Sequence, residues 1–232
     1  MKKLISGLLA FFISTACIQA QQQKTQLSLS LGASVPLGDY GSSETANPNA
    51  ELAQIGLMAD LNFKQPLGKG AAGIAAQLRL QTNPTDESAI ARSLRYQIPG
   101  ANWRVQSTGW ALGGLLVGGY LSLPVGDNIH FQPRGLLGAT RAASPYIYLQ
   151  GNSGTNNAWV EQFEDYTVAF AYQIGLGFEI GLGPNWCLLG YLDLTEARPT
   201  FDNVEIISST GNNSSSLLKP EMSTLNASIG IG

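Results

Sequence analysis

Charge is what this sequence has least of. Asp, Glu, Lys and Arg make up only 12% of its 232 residues, about half the share usual in soluble domains. No basic cluster stands out, which excludes the Lys- and Arg-rich footprint of a nucleic-acid binder. Histidine occurs once, as His130, so metal sites needing several imidazoles and His-paired triads have at most one candidate member. Cysteine occurs twice, as Cys17 and Cys187. Long apolar runs are missing too: the best candidate, 110–125, is rich in Gly, interrupted by Pro124 and too short for a transmembrane helix. Glycine is abundant, with 27 residues, yet it follows no Gly-X-Y period and Pro numbers only 11. Collagen and Pro-rich disorder are thereby excluded.

Lys2 and Lys3, followed by the apolar stretch 4–13 and by small or polar residues up to Ala20, have the layout of a bacterial secretory signal. The expected organisation is a signal peptide over 1–20 and a single domain over 21–232. Lipidation at Cys17 is the alternative, but Ser14 stands where that chemistry usually wants Leu. Cleavage after Ala20 leaves Cys187 alone, so no intrachain disulfide forms and hydrogen bonding has to hold the fold.

The dominant period is two. Ile55, Leu57, Ala59, Leu61 and Phe63 alternate with Gly56, Met58, Asp60, Asn62 and Lys64. The pattern repeats after a tight turn, with Ala72, Ile74, Ala76, Leu78 and Leu80 set against Gly73, Ala75, Gln77, Arg79 and Gln81. A third case runs over 168–180. A helix mixes such sets, whereas a strand separates them onto two faces. Weaker alternation over 26–36, 110–123, 129–142, 186–195 and 223–232 brings the count to eight strands. Short joins at 65–70, 124–128 and 182–185 alternate with long polar ones at 37–54, 83–107, 144–165 and 199–220. The spacing predicts an all-β fold: a closed eight-stranded antiparallel up-and-down transmembrane β-barrel with both chain ends on the short-turn, periplasmic side.

One face of these strands is nearly free of charge. The other carries small and polar groups such as Ser28, Ser30 and Gly175, which suits a crowded interior better than bulk water. If the apolar face meets lipid, the sheet must close on itself to satisfy its backbone. The inner face carries Asp60, Glu179 and Asp193 against Lys64, Arg79 and Arg134, three of each sign. Eight strands enclose room only for their own side chains, so these six are expected to neutralise one another as a buried polar network that plugs the lumen. Phe63, Phe131 and Trp186 near the short turns, with Trp110 and Tyr172 towards the opposite boundary, are expected at the membrane interfaces.

The segment Gly32-Ala33-Ser34-Val35-Pro36-Leu37-Gly38-Asp39-Tyr40 resembles the first strand and loop of small porin-like bacterial outer membrane β-barrel proteins, the OmpA/OmpX type of eight-stranded barrel. Residues 118–129, Gly-Gly-Tyr-Leu-Ser-Leu-Pro-Val-Gly-Asp-Asn-Ile, running on to Gln132-Pro133-Arg134-Gly135-Leu136-Leu137-Gly138, are similar to that family's central hairpin. The resemblance spans the chain after the signal in strand spacing, and it implies architecture rather than activity. One departure is the ending Ile229-Gly230-Ile231-Gly232, where such barrels usually carry a terminal aromatic residue.

Chemistry is sparse. His130 falls beside a short turn, Cys187 has no basic neighbour in sequence to lower its pKa, and Gly175 to Gly181 lacks the G-x-G-x-x-G spacing. No catalytic residue, metal site or cofactor is expected. The long loops are the remaining place for function. Tyr146, Tyr148, Trp159, Phe163 and Tyr166 flank a polar Gly/Asn/Ser/Thr stretch at 151–157, the mixture of aromatic and adaptable polar groups that suits surface recognition. Their flanks, 145–149 and 158–163, are expected to extend two strands beyond the bilayer and to present a sheet edge for a partner strand. The expected function is a plugged barrel of the bacterial outer membrane, exported through the periplasm, with a structural or adhesin-like surface role. A narrow pore or transporter and a secreted lipocalin-like binder of an apolar ligand are the alternatives. Expected partners are outer membrane lipid and lipopolysaccharide, with surface ligands at the loops and no nucleic acid.

Overall fold

The computed structural model describes residues 24–47, 49–68, 71–153 and 156–232. The expected signal segment, with its cleavage point and Cys17, lies outside the described residues. In chain order the elements are β1 (Gln26–Leu37), β2 (Gly56–Pro66), β3 (Ala72–Asn83), α1 (Glu87–Gln97), β4 (Asn102–Ser107), β5 (Trp110–Leu121), β6 (Leu123–Pro124), β7 (Ile129–Ala143), β8 (Ile147–Ser153), β9 (Asn156–Gln162), β10 (Tyr166–Gly181), β11 (Cys187–Ala197), β12 (Phe201–Ser208), β13 (Asn213–Leu218) and β14 (Met222–Ile231).

Eight long strands pair with their sequential neighbours in the order β10-β11-β14-β1-β2-β3-β5-β7, and β7 closes the circle by pairing antiparallel with β10 from Tyr166↔Ala143 to Ile180↔Ile129. Closure leaves none of these strands with a free edge, so every backbone polar group along the wall has a partner without help from water. The alternation then sorts the side chains. Leu27 and Leu29 are 63% and 55% exposed on the outside, while Ser28 and Ser30, which alternate with them, are buried. Leu57, Leu61, Val168, Phe170 and Ile174 share the outer wall, and Asp60, Asn62, Gln77 and Gln173 face inward. This is a barrel with its polarity reversed relative to a water-soluble one.

A narrow lumen holds large side chains only where the facing position is small. The Tyr191 ring lies across Gly177, where an added Cβ would sit 2.9 Å from its carbons. Tyr120 covers Gly73 and the Asp193 carboxylate covers Gly175 in the same way. Part of the chain's glycine therefore has a packing role inside the lumen.

At the long-loop end the lumen meets an apolar layer. Tyr40, Ala53, Trp110, Ala142, Phe201, Val204 and Met222 form one buried cluster. The Tyr40 and Trp110 rings meet edge to face at 5.9 Å, Trp110 and Phe201 lie 6.2 Å apart, and the Trp110 indole N–H donates to the Glu51 carbonyl at 3.1 Å. Trp110 is thus not at the membrane boundary where its place in the sequence predicts it. It opens β5 on an inward position, and its apolar surface goes into the barrel's cap. Trp186, by contrast, is 62% exposed beside the short turn.

Candidate functional site

Two places combine polar or aromatic side chains in defined geometry: the middle of the lumen and the extracellular tier. In the lumen, β2, β3, β7, β10 and β11 bring all six charged residues together in two groups. Arg79 meets Asp60 with paired bonds, Nε to Oδ1 and Nη2 to Oδ2, each 2.8 Å, and reaches Asp193 at 3.2 Å. Arg134 grips Asp193 through Nε at 3.0 Å and Nη2 at 2.6 Å, with its guanidinium 3.9 Å from the centre of the Tyr191 ring. Parallel bonds between guanidinium and carboxylate fix orientation as well as charge. Gln77 and Thr195 complete this group, donating to Asp60 and accepting from Arg79. Nearer the short turns, Lys64 pairs with Glu179 at 2.8 Å, and Gln132 bridges both. Each group is neutral in sum, as burial demands.

Below Lys64 and Glu179 a polar vestibule of about 480 Å³ opens on the short-turn side, with Tyr120, His130 and Cys187 in its wall. His130 sits opposite Glu179 in the β7–β10 pairing, and the Cys187 thiol meets the Gln26 amide. Among the described residues no group of three or more His, Cys, Asp or Glu is placed to hold a metal ion.

The extracellular tier is more ordered than the polar loops implied. Five short strands form a second sheet in the order β13-β12-β9-β8-β4. Of the segments 145–149 and 158–163, residues 147–149 and 158–162 are strand, in β8 and β9, which pair antiparallel with each other in this second sheet and do not continue the barrel strands β7 and β10. They do not present an edge, however: β4 covers β8 and β12 covers β9, so the outer strands of the sheet are β4 and β13. The registers put Trp103, Val105, Leu149 and Val160 on one face, and Gln106, Tyr148, Trp159 and Glu161 on the other. Helix α1 packs beside β4. Its N-cap Asp86 accepts from the Ala89 amide at 2.9 Å and from the Ser88 and Ser43 hydroxyls. Burial works against the Asp86 anion, but these bonds and Arg92 hold its pKa below the usual carboxylate range.

Of the five loop aromatics, Tyr146 and Phe163 meet edge to face at 6.2 Å, and the Tyr146 hydroxyl donates to Glu161 at 2.6 Å, a bond that raises its pKa. Tyr148 and Trp159 share one face of the sheet. Tyr166 does not join them: it is the first residue of β10 and faces outward, its ring against the Arg141 guanidinium on the barrel wall. Trp103, whose indole lies across Gly151, was missed in the sequence. The alternation of Trp103 and Val105 with Arg104 and Gln106 was its available signal.

A closed eight-stranded wall, apolar outside and polar within, defines a β-barrel of the bacterial outer membrane. The same polarity overturns the lipocalin-like alternative, whose ligand needs an apolar cavity inside. The chain matches no protein-family model, and no curated protein sequence matches it. Among solved structures it is similar to Ail, the attachment invasion locus protein of Yersinia pestis, with 12% identity, 90% of this chain and 99% of that one covered, and a TM-score of 0.39. It is also similar to a major outer membrane protein from Thermus thermophilus, with 12% identity, 90% and 98% covered, and a TM-score of 0.46. A third is Neisserial surface protein A, with 8% identity, 90% and 99% covered, and a TM-score of 0.35.

Proposed function

We propose that this chain is a non-conducting, non-catalytic outer membrane barrel whose extracellular sheet serves as a surface-recognition element. One observation carries the reading. The lumen is occupied at two successive levels, by the paired charges around Asp193 and by the Tyr40–Trp110–Phe201 layer above them, while the loops build a separate hydrogen-bonded sheet. A pore needs a continuous wet path, and buried ion pairs of this geometry oppose one. A recognition protein needs aromatic and adaptable polar groups held on a rigid base, which Tyr148, Trp159 and Glu161 on β8 and β9 supply.

Two measurements test this. Reconstituted in planar bilayers, the protein is expected to show no stable open currents; large persistent steps would favour the pore reading. Deleting residues 150–157 is expected to leave the boiled-versus-unboiled gel shift intact and to abolish adhesion of the displaying bacterium to a host-cell surface. Adhesion that survives the deletion removes the sheet from the proposal.

A further inference from the structure

Among the described barrel strands, only two charged side chains face outward, Arg141 on β7 and Glu196 on β11. Each lies about ten residues beyond an aromatic residue of the short-turn end, Arg141 beyond Phe131 and Glu196 beyond Trp186. Ten residues at roughly 3.3 Å each, on strands tilted by about 40°, rise about 25 Å, the height of the apolar band on such barrels. Both charges therefore stand at the outer-leaflet boundary. Glu196 takes a hydrogen bond from the Tyr172 hydroxyl. Arg141 has no carboxylate within 4 Å among the described residues, and its guanidinium is held 4.6 Å from the Tyr166 ring centre. The Tyr166 hydroxyl donates to Glu164 at 2.6 Å, which fixes the ring.

Directly beside this cation the outer wall is hollow. A groove of about 630 Å³ is walled by Leu57 and Leu80, floored by Ala111, Gly113 and Ala143, and bounded by Arg141 and Tyr166. Its size falls within the roughly 300–1,000 Å³ of small-molecule sites. An apolar channel in the lipid-facing wall that ends in an uncompensated, stacked guanidinium at headgroup depth has the charge and shape of one ligand: a lipid with a phosphate on its headgroup. Guanidinium binds phosphate through paired donors, and the ring holds it ready. We propose that this groove is a binding site for a single phosphorylated lipid of the outer leaflet, its acyl chain lying over Gly113 and its phosphate on Arg141. The site is on the wall and does not depend on what the extracellular sheet recognises.

The test uses the refolded full barrel in detergent, mixed separately with diphosphoryl lipid A, with the same lipid dephosphorylated, and with phosphatidylethanolamine, and reads retained lipid by native mass spectrometry. Wild type is expected to retain the diphosphoryl form about tenfold more than the dephosphorylated one. Arg141→Gln is expected to equalise the two. A Cβ added at Gly113 meets only the Leu80 Cδ2 atom, at 3.5 Å, so the backbone there accepts a side chain, and Gly113→Leu is expected to lower retention of every lipid about fivefold by filling the groove. Millimolar inorganic phosphate is expected not to displace the lipid, since the acyl chain in the apolar groove holds it as well. An Arg141→Gln barrel that keeps the wild-type preference overturns the proposal, as does Gly113→Leu with undiminished retention, or release by free phosphate alone. If Arg141→Gln fails to give the folded gel band, Arg141→Lys is measured instead; it is expected to weaken the preference about threefold, and an unchanged preference overturns the proposal equally.

Discussion

Two levels of the lumen bury unlike groups. At mid-height, Asp60, Arg79, Asp193 and Arg134 satisfy one another through a chain of charge-assisted bonds. At the extracellular mouth, Tyr40, Trp110 and Phe201 pack their rings together in one buried cluster. An ionic layer depends on stoichiometry: remove one partner and an uncompensated charge stays behind. An aromatic layer depends on volume: remove a ring and a hole stays behind. The two levels should therefore fail differently. The largest effect is expected for Asp193→Ala, which strands Arg134 and takes from Arg79 its second carboxylate. Leaving buried charge unpaired costs about 3–5 kcal/mol, read as a fall in the urea midpoint of the barrel refolded in vesicles. A loss under 1 kcal/mol would mean that water already solvates these guanidinium groups.

Trp110→Ala attacks the other level. Its cost is expected at about 3 kcal/mol, the lower end for truncating a large buried ring. The ionic layer remains, so bilayers holding this variant are expected to stay silent. If they conduct, the rings and not the charges are the barrier, and the comparison between the two levels reverses.

The mouth also carries a titratable weak point. Burial, followed by the nearby Asp39 charge, pushes the Glu51 carboxyl up to about 7, and Glu51 in turn raises the pKa of Tyr40, whose own burial is the larger cause. A carboxyl whose folded pKa is raised gives its full stabilisation below the unfolded value near 4.5 and loses it as pH rises through about 7. Stability is thus expected to fall between pH 5 and pH 8, by on the order of 1–2 kcal/mol after solvent screening of a partly exposed group. Glu51→Gln should flatten that slope. A slope that persists in the variant assigns it to another group.

The barrel and the positions of the six lumen charges were legible because strand parity is rigid: once Leu57 faces out, Asp60 and Lys64 must face in, whatever else the chain does. Which charge meets which was not legible, since Arg79 on β3 reaches Asp193 on β11 across the bore and Arg134 reaches it over Gly175, and no local spacing encodes those distances. Trp110 was misplaced because Ala111, Gly113 and Gly114 give its strand no clear phase. The extracellular sheet was only half visible. Its hairpin follows from local alternation, but the pairing of Ile206 with Gln162 and of Trp103 with Gly151 joins residues far apart in sequence. Helix α1 hid in a stretch read as a polar loop, although Asp86 before Glu87 and the Ile90–Leu94 spacing offered a cap and an apolar stripe.

That distinction between wall and tier yields the smallest expected effect on stability. Deleting residues 150–157 removes the outer half of the β8–β9 pairing and the β8 partners of Asn102, Trp103 and Arg104, none of which belongs to the circle of eight strands. Loop-closure entropy changes by well under 1 kcal/mol for such a shortening. The urea midpoint is therefore expected to stay near the wild-type value while the Tyr148 and Trp159 surface is lost from its base. The informative failure is a large drop in that midpoint. It would mean that the second sheet braces the mouth through β4 and β12, so that the rings at Trp110 and Phe201 depend on the tier above them and not on the barrel alone.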